Sequence, residues 1–399
     1  LVFLQRKGVW VKIGSFRIGL LLTLPKRKNN WIQCELGEIL DIRNEKIIPD
    51  SDYPLMSFTS SGGIEEKGDR YDRSFLVKNS NKKYKVTKFN DLIYSSNNLD
   101  VGAIGLNKFG NACISIVYEI FSIIDDNPDV VSYILQTPRI LHKIISYRQG
   151  ALYGQYKIHS TDFLKVKIFI PKMVEQEKIS ELINNLDFII TLEQEKIEKL
   201  ELLKQAYENK IFDPNFTSKN WSYKKIGDLF EERKIRSAKG ELLSVTIENG
   251  VVKASEIDRT INASSDRSNY KLVEPNDIAY NSMRMWQGAC GASNYEGIVS
   301  PAYTVLVPKE DVNSKFFEYY FKSPYMLYQF ASFSQGLTSD TWNLKYPIIK
   351  DIEIYVPNIN EQNQIESFLS TYYGLIKQNQ KRIDLYDQVK YCLLNKLFI

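Results

Sequence analysis

The chain repeats itself. The string IPKMVEQEKI begins at Ile170 and VPNINEQNQI at Val356, 186 residues further on. Each reads apolar, Pro, three variable residues, Glu-Gln, two more residues and Ile. Sliding the sequence by the same offset lays NDLIYS at Asn90 on NDIAYN at Asn276, Gly102 on Gly288, Gly150 on Gly336, and NKIF at Asn209 on NKLF at Asn395. Nearer the start, WIQCELGEIL at Trp31 falls on WSYKKIGDLF at Trp221, the offset slipping to 190 through unequal loops. A period of roughly 190 residues is domain-sized, which excludes a solenoid. A chain of 399 residues is also too long for one ordinary core. It is two tandem copies of one unit.

Each copy has two parts. The first mixes short β-like runs with turns, as in LLSVTIENGVVKA, where Asn249-Gly250 signals a hairpin, and in the alternating DIEIYVP. Helical stretches such as NSKFFEYYFKSPYMLYQFASF interrupt them, and 25 Tyr with 20 Phe suit β-rich structure. The second part, 175–212 and again 361–398, has no Pro and one Gly in all, Gly374. Each of these segments is expected to be one helix of about 57 Å. The expected organisation is an extension over 1–30 outside the fold and a β-rich globular domain over 31–173. A long helix follows over 174–215, then a second globular domain over 216–358 and a second long helix over 359–399. The fold class is α+β: two globular domains separated by two long antiparallel coiled-coil helices, a pseudo-two-fold tandem repeat.

The helices carry a heptad-like seam with spacings alternating four and three. In the first it runs through Ile179, Ile183, Leu186, Ile190, Glu193, Ile197, Leu200, Lys204, Tyr207 and Ile211. In the second it runs through Ile365, Leu369, Tyr372, Ile376, Asn379, Ile383, Tyr386, Lys390, Leu393 and Leu397. Both seams break at equivalent polar positions. An antiparallel register that pairs the breaks sets Glu193 against Lys390 and Lys204 against Asn379, with Ile197 on Tyr386 and Leu200 on Ile383. Buried polar contacts of this kind fix register at some cost in stability.

Composition narrows the function. Cys34, Cys113, Cys290 and Cys392 lie far apart with no CxxC, so neither a disulfide framework nor a zinc site is suggested, and a reducing cytoplasm fits. His142 and His159 are the only histidines, which disfavours a His-centred active site. The net charge of +4 permits a nucleic-acid partner without implying one. The apolar run 18–24 is too short to span a bilayer, and Arg17 with no cleavage site argues against a signal peptide. No Walker loop and no glycine-rich methyl-donor loop is present. The nearest approach to an adenine-methyltransferase motif, SPAY at Ser300, lacks the acid or amide and the second Pro, and reads better as the start of a strand.

Two variable domains, each followed by a long helix entered through apolar-Pro-x3-Glu-Gln and left through Lys-Ile/Leu-Phe, resemble the specificity subunit of type I restriction–modification enzymes. The resemblance covers 31–399 and rests on the duplicated order, helix length and spacing together. It implies two target recognition domains that read a bipartite, non-palindromic double-stranded DNA target, with the helices as spacer. It further implies two modification subunits and two restriction subunits as partners, no membrane, and a non-catalytic role for this chain. S-adenosylmethionine, ATP and Mg²⁺ would then belong to the partners, with no cofactor and no metal held here. A ruler of two readers suits half-sites about one helical turn apart (roughly 34 Å). The rival expectations are a coiled-coil adaptor, a degenerate specificity subunit that reads no DNA, and an enzyme with an unrecognised site.

Base reading needs amides, hydroxyls and guanidinium groups at a groove, and phosphate contact needs Lys and Arg. Polar, glycine-bearing loops lie just before the final strand of each domain. The first offers Arg148, Gln149, Tyr153, Gln155 and Lys157; its counterpart offers Gln335, Ser339, Thr341, Trp342, Asn343 and Lys345. A second pair of loops aligns Ser96, Asn97 and Asn98 with Ser282, Met283 and Arg284, followed by Trp286 and Gln287. Solvated glycine turns would look the same. The basic windows 78–88 and 224–239 offer phosphate contacts, or simply solvated faces.

Overall fold

The computed structural model describes residues 2–5, 8–13, 16–20, 31–59, 63–65, 82–96, 103–147, 157–214, 221–257 and 266–398. Two compact units emerge, Leu1–Glu193 with Arg382–Ile399, and Gln194–Lys381. Each holds one globular domain and a stretch of both long helices. The strands Val2–Gln5, Gly8–Ile13 and Phe16–Leu20 make a three-stranded antiparallel sheet of their own.

In the first unit a four-stranded antiparallel sheet runs in the spatial order Ile104–Leu106, Leu92–Ser95, Tyr118–Ile123, Leu40–Ile42. Leu92–Ser95 is buried at every position, as a central strand covered on both faces must be. Its Tyr94 packs on Phe163 at 4.5 Å and donates its hydroxyl proton to the Ile158 carbonyl at 3.0 Å. Lys167–Ile170 instead alternates exposed and buried, the period-two mark of a one-sided sheet, and pairs with Ile32–Glu35.

The second unit repeats this plan. Phe230–Glu232, Tyr303–Pro308, Ile278–Asn281 and Cys290–Ala292 form the matching sheet, and Ser222–Lys225 pairs with Glu353–Val356. The hairpin expected at Asn249-Gly250 joins Leu243–Thr246 to Gly250–Lys253. Gly250 has φ 61°, the left-handed region that favours glycine, and a Cβ there would lie 3.1 Å from the Gly291 Cα. The helical stretch after it divides into Ser314–Phe321 and Pro324–Phe333, because Ser323 caps and Pro324 starts a new helix. SPAY leads through a turn into the strand beginning at Tyr303.

The geometry explains why the same string is written twice. The Glu accepts from a tryptophan at the domain's first strand: Trp31 Nε1 to Glu175 at 3.1 Å, and Trp221 Nε1 to Glu361 at 2.9 Å. The Gln is buried and used at both ends. Gln176 donates to the Pro171 carbonyl at 2.8 Å and to Asp126 at 2.6 Å, and accepts from Asn127 N at 2.8 Å. Gln362 donates to the Pro357 carbonyl at 3.0 Å and accepts from Asn313 N at 2.9 Å. Asn127 and Asn313 are themselves N-caps of the following helices. The motif therefore fastens a long helix to the domain that precedes it.

The long helices span Met173–Phe212 and Ile359–Phe398, 40 residues each. Every seam residue from Ile183 to Lys204 and from Tyr372 to Leu393 is buried or half-buried. The register, however, differs from the one the polar breaks suggest. Lys390 reaches Asp187 at 2.5 Å rather than Glu193, and Asn379 receives Lys196 at 3.2 Å rather than Lys204. Glu193 pairs with Arg382 at 2.5 Å, and Lys204 lies over the Tyr373 ring at 4.5 Å. The expected Ile197–Tyr386 and Leu200–Ile383 pairings belong to the same displaced register. The slip is six to eight residues, about one heptad, which leaves the same stripe facing inward and is invisible to periodicity.

Two features set the register. One is an exchange of polar partners that obeys the repeat: Glu193–Arg382 and Asn379–Lys196 are the same contact, 186 residues apart. The other is aromatic docking at the helix C-termini. Phe398 packs 5.8 Å from Trp31 in the first unit, and Phe212 packs 5.2 Å from Tyr320 in the second.

Candidate nucleic-acid interface

One backbone bond, at equivalent places in the two domains, joins Ser96 to Ile158 and Ser282 to Leu344. In the first, Ile158 N donates to the Ser96 carbonyl at 3.4 Å; in the second, Leu344 N donates to the Ser282 carbonyl at 2.8 Å. Ile158 and Leu344 are fully buried, so the bond ties Ser96 and Ser282 to the core. In the second domain the Trp286 and Trp342 rings also meet edge to face, 5.2 Å apart.

The candidates then separate by what they do. Thr341 Oγ1 donates to the Thr338 carbonyl at 2.9 Å and accepts from Thr338 N at 3.2 Å, closing a tight turn. Gln335 and Asn343 exchange backbone bonds of 3.1 and 2.8 Å across the neck of the loop. Gly336 sits at φ 151°, where a Cβ would lie 2.7 Å from the Thr341 backbone. Trp286 donates Nε1 to the Met283 carbonyl at 3.2 Å. Thr341, Trp286, Trp342 and the half-buried Asn343 thus shape the loops. Arg284, Gln335, Ser339 and Lys345 are exposed, with Arg284 Nη1 donating to the half-buried Gln287 at 3.3 Å.

In the first domain Ser96 is half-buried and Lys157 is exposed. Asn97, Asn98, Arg148, Gln149, Tyr153 and Gln155 lie outside the described residues. The loop residue that polar-pattern reading overlooks is Leu337, fully solvent-exposed at the tip between Gly336 and Thr338.

Both basic windows contain cations already committed inside the protein. Lys85 is buried and bonds the Tyr118 carbonyl at 2.8 Å and Glu119 at 3.0 Å. Arg233 makes a two-pronged pair with buried Asp277 at 2.7 and 2.9 Å, a bond that raises the Arg233 pKa further, and Arg43 makes the equivalent two-pronged pair with Asp91 at 2.6 and 3.0 Å. These forks fix the strand that leads into the Ser96 or Ser282 loop rather than meet phosphate. Lys82, Lys83, Lys224, Lys234 and Lys239 are exposed.

Among the described residues no group of three or more His, Cys, Asp or Glu side chains is placed to hold a metal ion. Burial pushes the Cys34 thiol up to about 11 and Cys290 to about 12, so these cysteines are packing residues. No helix among the described residues is long and apolar enough to cross a membrane.

Two copies of one α+β domain, each with the same backbone anchor and fastened to a long helix, define a tandem recognition protein. The family model described as type I restriction modification DNA specificity domain matches residues 28–202 and again 218–385, and the chain belongs to that family. It is a specificity protein with two DNA recognition domains in tandem.

Its fold is similar to that of the type I restriction–modification S subunit from M. genitalium, with a TM-score of 0.58 at 15% identity over 94% of this chain and 98% of that one. A chain from a structure concerning complex assembly and conformational transition of the type I R-M system gives 0.53 at 14%, covering 93% and 98%. The HsdS subunit from Thermoanaerobacter tengcongensis gives 0.49 at 13%, covering 93% and 97%. No curated protein matches the chain.

Proposed function

We propose that the chain reads a bipartite, non-palindromic duplex DNA target, one half-site per domain, and directs modification and restriction subunits to it. The observation that carries this reading is one anchoring backbone bond used twice, with different residues beside it in the two copies. The Ser96–Ile158 and Ser282–Leu344 bonds are equivalent, yet Asn98 stands where the second copy has Arg284, and Tyr153 where it has Ser339. Equivalent anchors with unequal polar residues beside them suit unequal half-sites.

Binding two modification subunits and two restriction subunits would fall to surfaces the seam leaves free. Phe188, Leu192 and Leu202 on the first helix and Tyr391 on the second are exposed large apolar residues, a surface suited to partner contact. The chain itself is non-catalytic in this reading and works in the cytoplasm. S-adenosylmethionine, ATP and Mg²⁺ act in the partner subunits.

The test is genome-wide adenine methylation in cells carrying this chain with its modification subunit. The expected result is a methylated motif split by a fixed gap, lost on deletion of the chain. Exchanging residues 31–172 changes one half-site and spares the other. Assembly without any split motif would replace this reading with an adaptor or a degenerate copy.

A further inference from the structure

We propose that Leu337 is a base-reading residue of the second domain, packing on the C5-methyl group of a thymine in the major groove. The proposal rests on the reading of this domain as a DNA reader and names one of its contacts.

Leu337 is the most exposed large apolar side chain among the described residues, at 101% of its reference accessibility; the next, Tyr328, is at 71%. A leucine held wholly in water costs apolar hydration that a serine would not. It is also displayed, not left loose. The Gln335–Asn343 bonds close the neck of its loop, the Thr338–Thr341 turn closes the tip, and Trp342 packs against Trp286 below. Ordering has therefore been met before binding, the condition under which one small contact counts in affinity.

The surroundings select the ligand. Gln335, Ser339 and Asp340 are exposed on either side of Leu337, with Arg284 and Lys345 exposed on the two joined loops. Amide, hydroxyl and carboxylate groups suit base edges, and the cations suit flanking phosphates. In the major groove each base pair presents a distinct pattern, and there thymine alone presents a methyl group. The minor groove would let those polar neighbours tell A·T from G·C and no more, and it offers no methyl group. The first domain has Ala151 at the equivalent position, so the contact should belong to the second half-site.

The experiment compares wild type and L337A with the modification subunit, first by methylome. Wild type should require T·A at a particular position of one half-site. L337A should relax that position alone, leaving the gap and the other half-site intact. The assembled complex is then bound to duplexes carrying that motif with deoxyuridine replacing this thymine. Wild type should lose about four-fold in affinity, the worth of one methyl group, and L337A should not distinguish the two duplexes.

An unchanged L337A motif, or a wild-type complex indifferent to deoxyuridine throughout the half-site, overturns the proposal. So does a 2-aminopurine probe that brightens with wild type and not with L337A, since that reports unstacking by a wedge. A wild-type chain that directs no split motif sinks the DNA-reader reading itself, a distinct result. Equal thermal melts of the two proteins establish that L337A folds.

Discussion

Gln176 is 1% exposed and Gln362 2%, and each spends its amide on the Pro carbonyl just ahead of its helix and on the domain that precedes it. Truncation would leave a buried N–H and a buried carbonyl unpaired, at about 1–3 kcal/mol. Q176A should therefore lower unfolding free energy by that amount in urea titrations. The exposed neighbour control E177A should stay within about 0.5 kcal/mol. Q176E should be at least as costly as Q176A, because it turns a carboxylate toward the Pro171 carbonyl and Asp126. A Q176E protein as stable as wild type would contradict this account. The Glu-Gln pair is legible in the sequence as a motif, but its purpose is not, since the partners Trp31, Asp126 and Asn127 stand 49 to 144 residues away. Leu337 is illegible for the opposite reason. One apolar residue in a polar loop looks like noise until its exposure is known.

At the scale of elements, the seam was readable and its register was not. Period 3.5 fixes which face of each helix turns inward, and the burial of Ile183, Leu186, Asn379 and Ile383 agrees. Sliding by a heptad changes none of that. What selects the register is polar pairing beyond the seam itself, because Arg382 and Lys196 flank the stripe that Glu193 and Asn379 occupy. Charge reversal distinguishes the two registers. D187K should destabilise the chain and K390D in the same protein should restore it, whereas E193K with K390E should restore nothing. Asp187 and Lys390 are 41% and 26% exposed, so solvent screening holds the coupling to about 0.5 kcal/mol in a double-mutant cycle. Rescue by the second pair instead would reinstate the register with Glu193 on Lys390.

For the whole molecule, the duplicated plan sets what can vary independently. Trp–Glu tethers, Arg–Asp forks and Ser-to-Ile/Leu loop bonds recur in both copies, while the loop side chains do not. If the long helices set the gap between half-sites, seven residues inserted after Gln194 and seven after Gln380 should lengthen it without altering either half-site. Those positions keep Glu193–Arg382 on one side and Lys196–Asn379 on the other, and a full heptad preserves the inward stripe. The added helix is about 10 Å, or about three base pairs at 3.4 Å each. Duplex twist works against the full gain, since each base pair turns the second half-site by roughly 35° at 10–10.5 per turn. The methylated motif should therefore keep both half-sites and widen by about one to three base pairs. Four residues inserted in each helix would instead rotate the stripe by roughly 40° and should weaken helix pairing. An unaltered gap in the heptad variant, with the complex assembled and active, would mean that something other than these helices measures the DNA.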